Sequence, residues 1–150
     1  SAQITAPNLC KILSSPKTLK VFHFGRFDIA VLFHKFNILC SPVYCTKIAS
    51  KLVRTFTDRH GLKNLLQDLI AVDISKQQQS SDWGNQNLTE AQIEYAASDV
   101  LYLHKLKKQL DNMLEREKRM QVAQACFDFL PNRAKLDILG WQDHDIFAHT

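Results

Sequence analysis

Tyr95 and Asp99 stand four residues apart in a segment of helical periodicity, so both fall on one face of a helix, beside each other. A carboxylate there can ligate a hard cation, and a phenol one turn before it can orient a water. The same spacing also suits a Tyr at a core edge and an Asp in solvent. Asp28 follows a short apolar strand and a Gly25-Arg26-Phe27 turn, and falls in the first turn of the next helix. A carboxylate at that point gains about 0.3–1 kcal/mol from the helix macrodipole with no further role. It also lies just past the carboxyl end of a strand, where open α/β sheets place their ligands. Lys76, Gln79 and Trp83 sit on a polar stretch, where an ammonium can meet phosphate and an indole can stack on a base. A solvated charge and a loop anchor are the plain alternatives. Cys10, Cys40, Cys45 and Cys126 form no C-x-x-C pair and the six histidines are scattered, so neither zinc nor a disulfide framework is expected. Free thiols in a reducing cytoplasm are the expectation.

These side chains need elements to hold them. Ala6 to Leu13 reads as a short helix stopped by Pro16, and Lys20 to Phe24 as a strand broken by Gly25. Arg26 to Phe36 reads as a deeply buried helix, apolar on most sides. Pro42 to Cys45 is a second short strand, followed by a helix over Thr46 to Val53. Leu62, Leu65, Leu66 and Leu69 have i, i+3, i+4, i+7 spacing, which predicts an amphipathic helix. A polar loop spans Asp73 to Asn87, and then Thr89 and Gln92 form a capping box that opens a long helix. Its apolar stripe runs Ile93, Ala97, Val100, Leu103, Leu106, Leu110, Met113, and it should end near Arg119. Val122 to Leu130 looks helical until Pro131, and Trp141 and Phe147 are expected to pack the tail back on the domain.

Strand, helix, strand, helix and then helices is an α/β order. Two strands are fewer than a stable sheet uses, so the expected fold is a mixed sheet lacking its N-terminal strands. Residues 1–150 should form one partial domain, with 120–150 as a helical or irregular extension. An uncovered sheet edge would favour self-association. With 150 residues, 45% hydrophobic and 23% charged, the composition is that of a globular domain and excludes disordered and collagen-like classes. The longest apolar run is far too short to span a bilayer, so no membrane partner is expected. The net charge of +4 permits a polyanion partner without requiring one.

Taken together the segments are more specific than any residue alone. The run Lys20-Val21-Phe22-His23-Phe24-Gly25-Arg26-Phe27-Asp28 resembles the second exonuclease motif of the ribonuclease D family. Leu88 to Leu103, with Tyr95 and Asp99, resembles its third motif, Tyr-x-x-x-Asp. Gly61-Leu62-Lys63-Asn64-Leu65, Asp73-Ile74-Ser75-Lys76 and Ser81-Asp82-Trp83 match the family in order and spacing, and the resemblance covers about residues 6 to 112. It implies a ribonuclease H-like 3'-5' exonuclease fold of the DEDD type, in which four carboxylates hold two divalent ions, Mg²⁺ or Mn²⁺. Such an enzyme trims the 3' end of single-stranded RNA or DNA and releases nucleoside monophosphates. The resemblance assigns Asp28 and Asp99 to the metals and Tyr95 to the attacking water.

The sequence departs from that pattern at two places. Residues 1 to 27 contain no Asp and no Glu, so the family's first motif, Asp-x-Glu, is missing and this chain alone is expected to be inactive. Tyr44-Cys45-Thr46 stands where many relatives carry Asp before Thr. Two rival readings follow from the first departure: a non-catalytic nucleic-acid-binding module, or a partner-binding α/β domain with neither metal nor nucleic acid.

Overall fold

The computed structural model describes residues 6–73 and 90–150, with side chains over 8–73 and 101–150. The elements are α1 (Ala6–Ser14), β1 (Lys20–Phe22), α2 (Gly25–Phe36), β2 (Val43–Cys45), α3 (Thr46–Val53), α4 (Leu62–Ile70), α5 (Glu90–Arg116) and α6 (Met120–Leu136), followed by a π-helical turn at Asp137–Trp141. The two strands are parallel, with Lys20 opposite Val43, Val21 opposite Tyr44 and Phe22 opposite Cys45. Parallel strands need a crossover, and α2 supplies it. Lys20 is buried yet satisfied: its ammonium donates to the Ser15 and Ser41 carbonyls at 2.5 and 2.8 Å. No helix among the described residues is long and apolar enough to cross a membrane.

The long helix α5 packs against α3, α4 and β1, whereas α6 packs chiefly against α2 and β2. Leu106, Leu110 and Leu114 bury one stripe of α5, at i, i+4, i+8. From α6 the core takes Ala123, Phe127, Leu130 and Ala134. Tyr44 of β2 ties both helices to the sheet. Its ring lies 4.4 Å from that of Phe127, and its hydroxyl donates to Asp111 at 2.8 Å, a carboxylate that also accepts from Lys107. Burial, together with the Asp111 hydrogen bond and charge, pushes the Tyr44 phenol well above its ordinary pKa. The buried Arg54 guanidinium joins α3 to α4 by donating to Asp68, to the Arg59 carbonyl and to Ser50.

Four sequence expectations need correction. The first strand ends at Phe22, because Phe24 adopts the left-handed conformation (φ 61°, ψ 51°) and α2 starts at Gly25. That conformation costs a residue with a Cβ roughly 1–2 kcal/mol. Gly25 itself allows a close approach: a Cβ there would meet Leu130 Cδ2 at 3.2 Å and Phe22 Cβ at 3.3 Å. Helix α2 is not buried all round. Gly25, Ile29 and Ala30 face the core, while Phe27 and Val31 are exposed. Helix α6 runs straight through Pro131 to Leu136. An interior proline forfeits one hydrogen bond, but Leu130, Pro131 and Ala134 are all buried, so the apolar face continues across it and opposes the break. Finally, Trp141 and Phe147 do not anchor the tail; both are exposed, and Phe147 only meets Phe129 edge-on at 5.7 Å. Polar contacts hold the tail instead. Arg26 donates to Asp137 through Nε and Nη2 at 2.8 and 2.7 Å and to the Gln142 carbonyl at 2.7 Å. Arg133 donates to Asp137 and to the carbonyls of Trp141 and His144.

Candidate active site

The candidate site lies at the carboxyl end of β1, where the chain turns into α2. Phe27 N–H donates to the Phe24 carbonyl at 3.2 Å, closing the first turn and placing Asp28 on it. Asp28 is half-buried, and desolvation raises its carboxyl pKa. Among the described residues it has no hydrogen-bond or ion-pair partner. A partly desolvated carboxylate with no counter-charge among the described residues is the kind of group that recurs at functional sites, although the helix macrodipole alone also favours it there.

At the end of β1 further side chains meet to which sequence reasoning gave no role: His23 of the same motif, and Thr46 and Lys47 at the start of α3. The Thr46 hydroxyl lies 3.2 Å from the Phe22 carbonyl oxygen, to which it can donate, and 2.9 Å from His23 Nδ1. Whether Nδ1–H donates to that hydroxyl or the hydroxyl donates to a bare Nδ1 depends on the tautomer, and in both forms the contact ties the ring to the start of α3. Burial, and secondarily the charge of Lys47, lowers the His23 pKa to about 4. The imidazole is therefore neutral at physiological pH. Cys45, the departure noted in the sequence, is buried, and its Sγ accepts the Gly25 N–H at 3.4 Å. The thiol thus meets the first N–H of α2. Lys47 places its ammonium 4.4 Å from the Phe24 ring centroid.

Tyr95 and Asp99 both fall on α5, four residues apart, as the spacing predicts. Their side chains lie outside the described residues, as do Ile93, Ala97 and Val100 of the predicted stripe. Since α5 packs against β1, the helix that bears Asp99 directly neighbours the strand that leads into Asp28. Lys76, Gln79, Trp83 and the capping residue Thr89 lie outside the described residues. Among the described residues no group of three or more His, Cys, Asp or Glu converges on a metal position. Asp28 is the one proposed ligand whose surroundings are defined, and its lone, partly desolvated carboxylate fits a hard divalent cation.

A family model described as 3'-5' exonuclease matches residues 1–115. The chain belongs to the 3'-5' exonuclease family. It is 38% identical over 109 residues to ribonuclease D of Gluconacetobacter diazotrophicus, covering 73% of this chain and 28% of that protein. The chain therefore spans under a third of the length of that curated relative. Among solved structures it is similar to Brucella melitensis NrnC with bound Mg²⁺, at 57% identity and a TM-score of 0.88, over 97% of this chain and 71% of that one. The same Brucella protein bound to pGG gives 59% identity and a TM-score of 0.87, over 99% and 72%. Escherichia coli RNase D, an exoribonuclease involved in structured RNA processing, gives 26% identity and a TM-score of 0.73, over 91% of this chain and 37% of that one. The fold is the ribonuclease H-like fold of exonuclease domains, here with a small parallel sheet among the described residues.

Proposed function

We propose that this chain works as the core of a metal-dependent 3'-5' exonuclease that trims single-stranded nucleic acid, RNA first, and releases nucleoside monophosphates. The observation that carries the reading is Asp28: a half-buried carboxylate with no counter-charge among the described residues, at the carboxyl end of a parallel strand. Asp28 and Asp99 would hold the divalent ions, Mg²⁺ or Mn²⁺, whose chemistry is to stabilise charge on the attacking and leaving oxygens of a phosphodiester. Tyr95, one turn before Asp99 on α5, orients the attacking water through its hydroxyl. His23, neutral by burial, adds no charge that would repel the cations. The capture of pGG by the Brucella relative supports short strands as substrates.

Residues 1 to 27 contribute no carboxylate, so the chain supplies Asp28 and Asp99 but not the Asp-x-Glu pair that the family resemblance implies. Two cations would then bring more charge than these ligands balance, and the isolated chain is expected to turn over negligibly. The test compares mononucleotide release from a 5'-labelled oligoribonucleotide, and from pGG, by this chain and by a form extended upstream with an Asp-x-Glu strand. Release in Mn²⁺ by the extended form alone is expected. Robust release by the isolated chain would refute the need for the missing pair, and silence of both would refute the exonuclease reading.

A further inference from the structure

We propose that Phe24, Phe27 and Lys47 form a nucleobase-stacking subsite beside Asp28, which holds an unpaired base of the substrate strand against the aromatic pair. The proposal rests on the exonuclease reading and adds to it the part of the substrate that the chain grips.

Phe24 is the first indication. It sits at φ 61° with its side chain 44% exposed. A glycine or asparagine would take that backbone conformation with less strain, and burial gives the phenylalanine little in return. Strain retained without packing gain clusters at functional sites. The second indication is the pair itself. The Phe24 and Phe27 ring centroids are 6.1 Å apart with planes at 28°, and Phe27 is 59% exposed. An exposed, rigidly backed ring face suits any nucleobase, because every base has a π-face.

Charge then selects the occupant. The Lys47 ammonium lies over the Phe24 ring and has no carboxylate partner among the described residues. An apolar helix or a second copy of the chain would not need that cation. A nucleotide, aromatic at one end and anionic at the other, uses both features. Space is sufficient: the two rings, with Ala30, Val31 and Ile138, line an open cavity of about 530 Å³ between α2 and the π-helical turn, within the usual size of small-ligand sites. Asp28 does not line this cavity but follows Phe27 on the same turn of α2, so a strand that stacks on Phe27 has only to pass round the helix start to reach it.

The test is anisotropy of a fluorescent single-stranded oligoadenylate, titrated with this chain in EDTA so that metal plays no part. Phe27→Leu keeps an apolar side chain but removes the ring and should weaken binding about 10-fold, within the range for losing one base–aromatic stack. Phe27→Trp should restore it. Phe24→Gly should also weaken binding, while its melting temperature holds or rises because glycine relieves the backbone; a packing role predicts the opposite change in stability. An abasic strand of equal length should bind weakly and be indifferent to these substitutions. If the wild type binds and both Phe27→Leu and Phe24→Gly bind equally well, the subsite is refuted and the exonuclease reading stands. If the wild type binds no oligonucleotide, the subsite is refuted, while the exonuclease reading is decided by release from the extended form in Mn²⁺. A change in sedimentation with unchanged oligonucleotide binding would make this face a contact between copies and overturn the proposal.

Discussion

Replacing Asp137 by Asn tests how the C-terminal turn is held to the helix that bears Asp28. The carboxylate accepts two parallel bonds from Arg26 and a third from Arg133 at 3.2 Å. Bonds to charged groups contribute about 1.5–3 kcal/mol when sheltered, and exposed ion pairs only about 0.2–1 kcal/mol. The Asp137 side chain is 15% exposed and that of Arg26 37%, so solvent screens one partner and the contribution falls between the classes. A loss of about 1–1.5 kcal/mol is expected, which lowers the melting temperature of a chain this size by about 2–6 °C. The Arg26 fork holds the Asp137 carboxyl below its ordinary pKa. The unfolded chain therefore takes up the proton first as pH falls. The contribution is whole above about pH 4 and is lost below it, as the folded carboxyl titrates. Thermal melts of both proteins at neutral pH and through the acid range check this. A variant that melts within about 1 °C of wild type at pH 7, or a gap that does not narrow in acid, would refute the reasoning.

Two further outcomes are expected. Burial and Lys47 hold the His23 imidazole down at about 4, so stability should fall as pH drops from about 6.5 towards that value, and His23→Gln should flatten this limb; equal slopes would count against it. In the enzyme carrying its full ligand set, Asp99→Asn should abolish both metal binding and turnover, whereas Tyr95→Phe should keep metal binding and lose about 10²-fold in rate; single-turnover cleavage with metal titration separates them, and normal cleavage by folded Asp99→Asn would remove this residue from the site.

Periodicity placed the helices, because burial of one stripe dictates them. Leu65 and Leu66 on α4, and Leu106 and Leu110 on α5, are buried as their spacing predicts. The motifs placed Asp28 on the first turn of α2 and Tyr95 with Asp99 on α5. What local pattern could not show was set by tertiary contact. Phe27 and Val31 are apolar, yet they cover no neighbour, so the hydrophobicity of α2 overstated its burial. Pro131 signals a break that the continuous buried face of α6 overrides. Helix α5 ends early at Arg116, where Lys118 takes the left-handed conformation (φ 58°) and Arg119 N–H reaches the Leu114 carbonyl at 2.8 Å; a stop without glycine gives no sequence signal. The Arg26–Asp137 fork spans 111 residues, a separation at which no spacing rule applies. His23 and Lys47 gain their meaning only once β1 and β2 pair and bring them together.

Asp28 is half-buried, without a counter-charge among the described residues, and desolvation raises its pKa; a bound cation would supply the missing charge. Calorimetric titration of Mn²⁺ into the enzyme carrying its full ligand set, as wild type and as Asp28→Asn, measures this directly. The account predicts that the variant folds, melts no lower than wild type because a desolvated charge is gone, and binds Mn²⁺ more than about 10-fold more weakly, the least that losing even an outer partner of a metal site costs. Equal Mn²⁺ affinity in the two proteins would contradict the assignment of Asp28 to the metal.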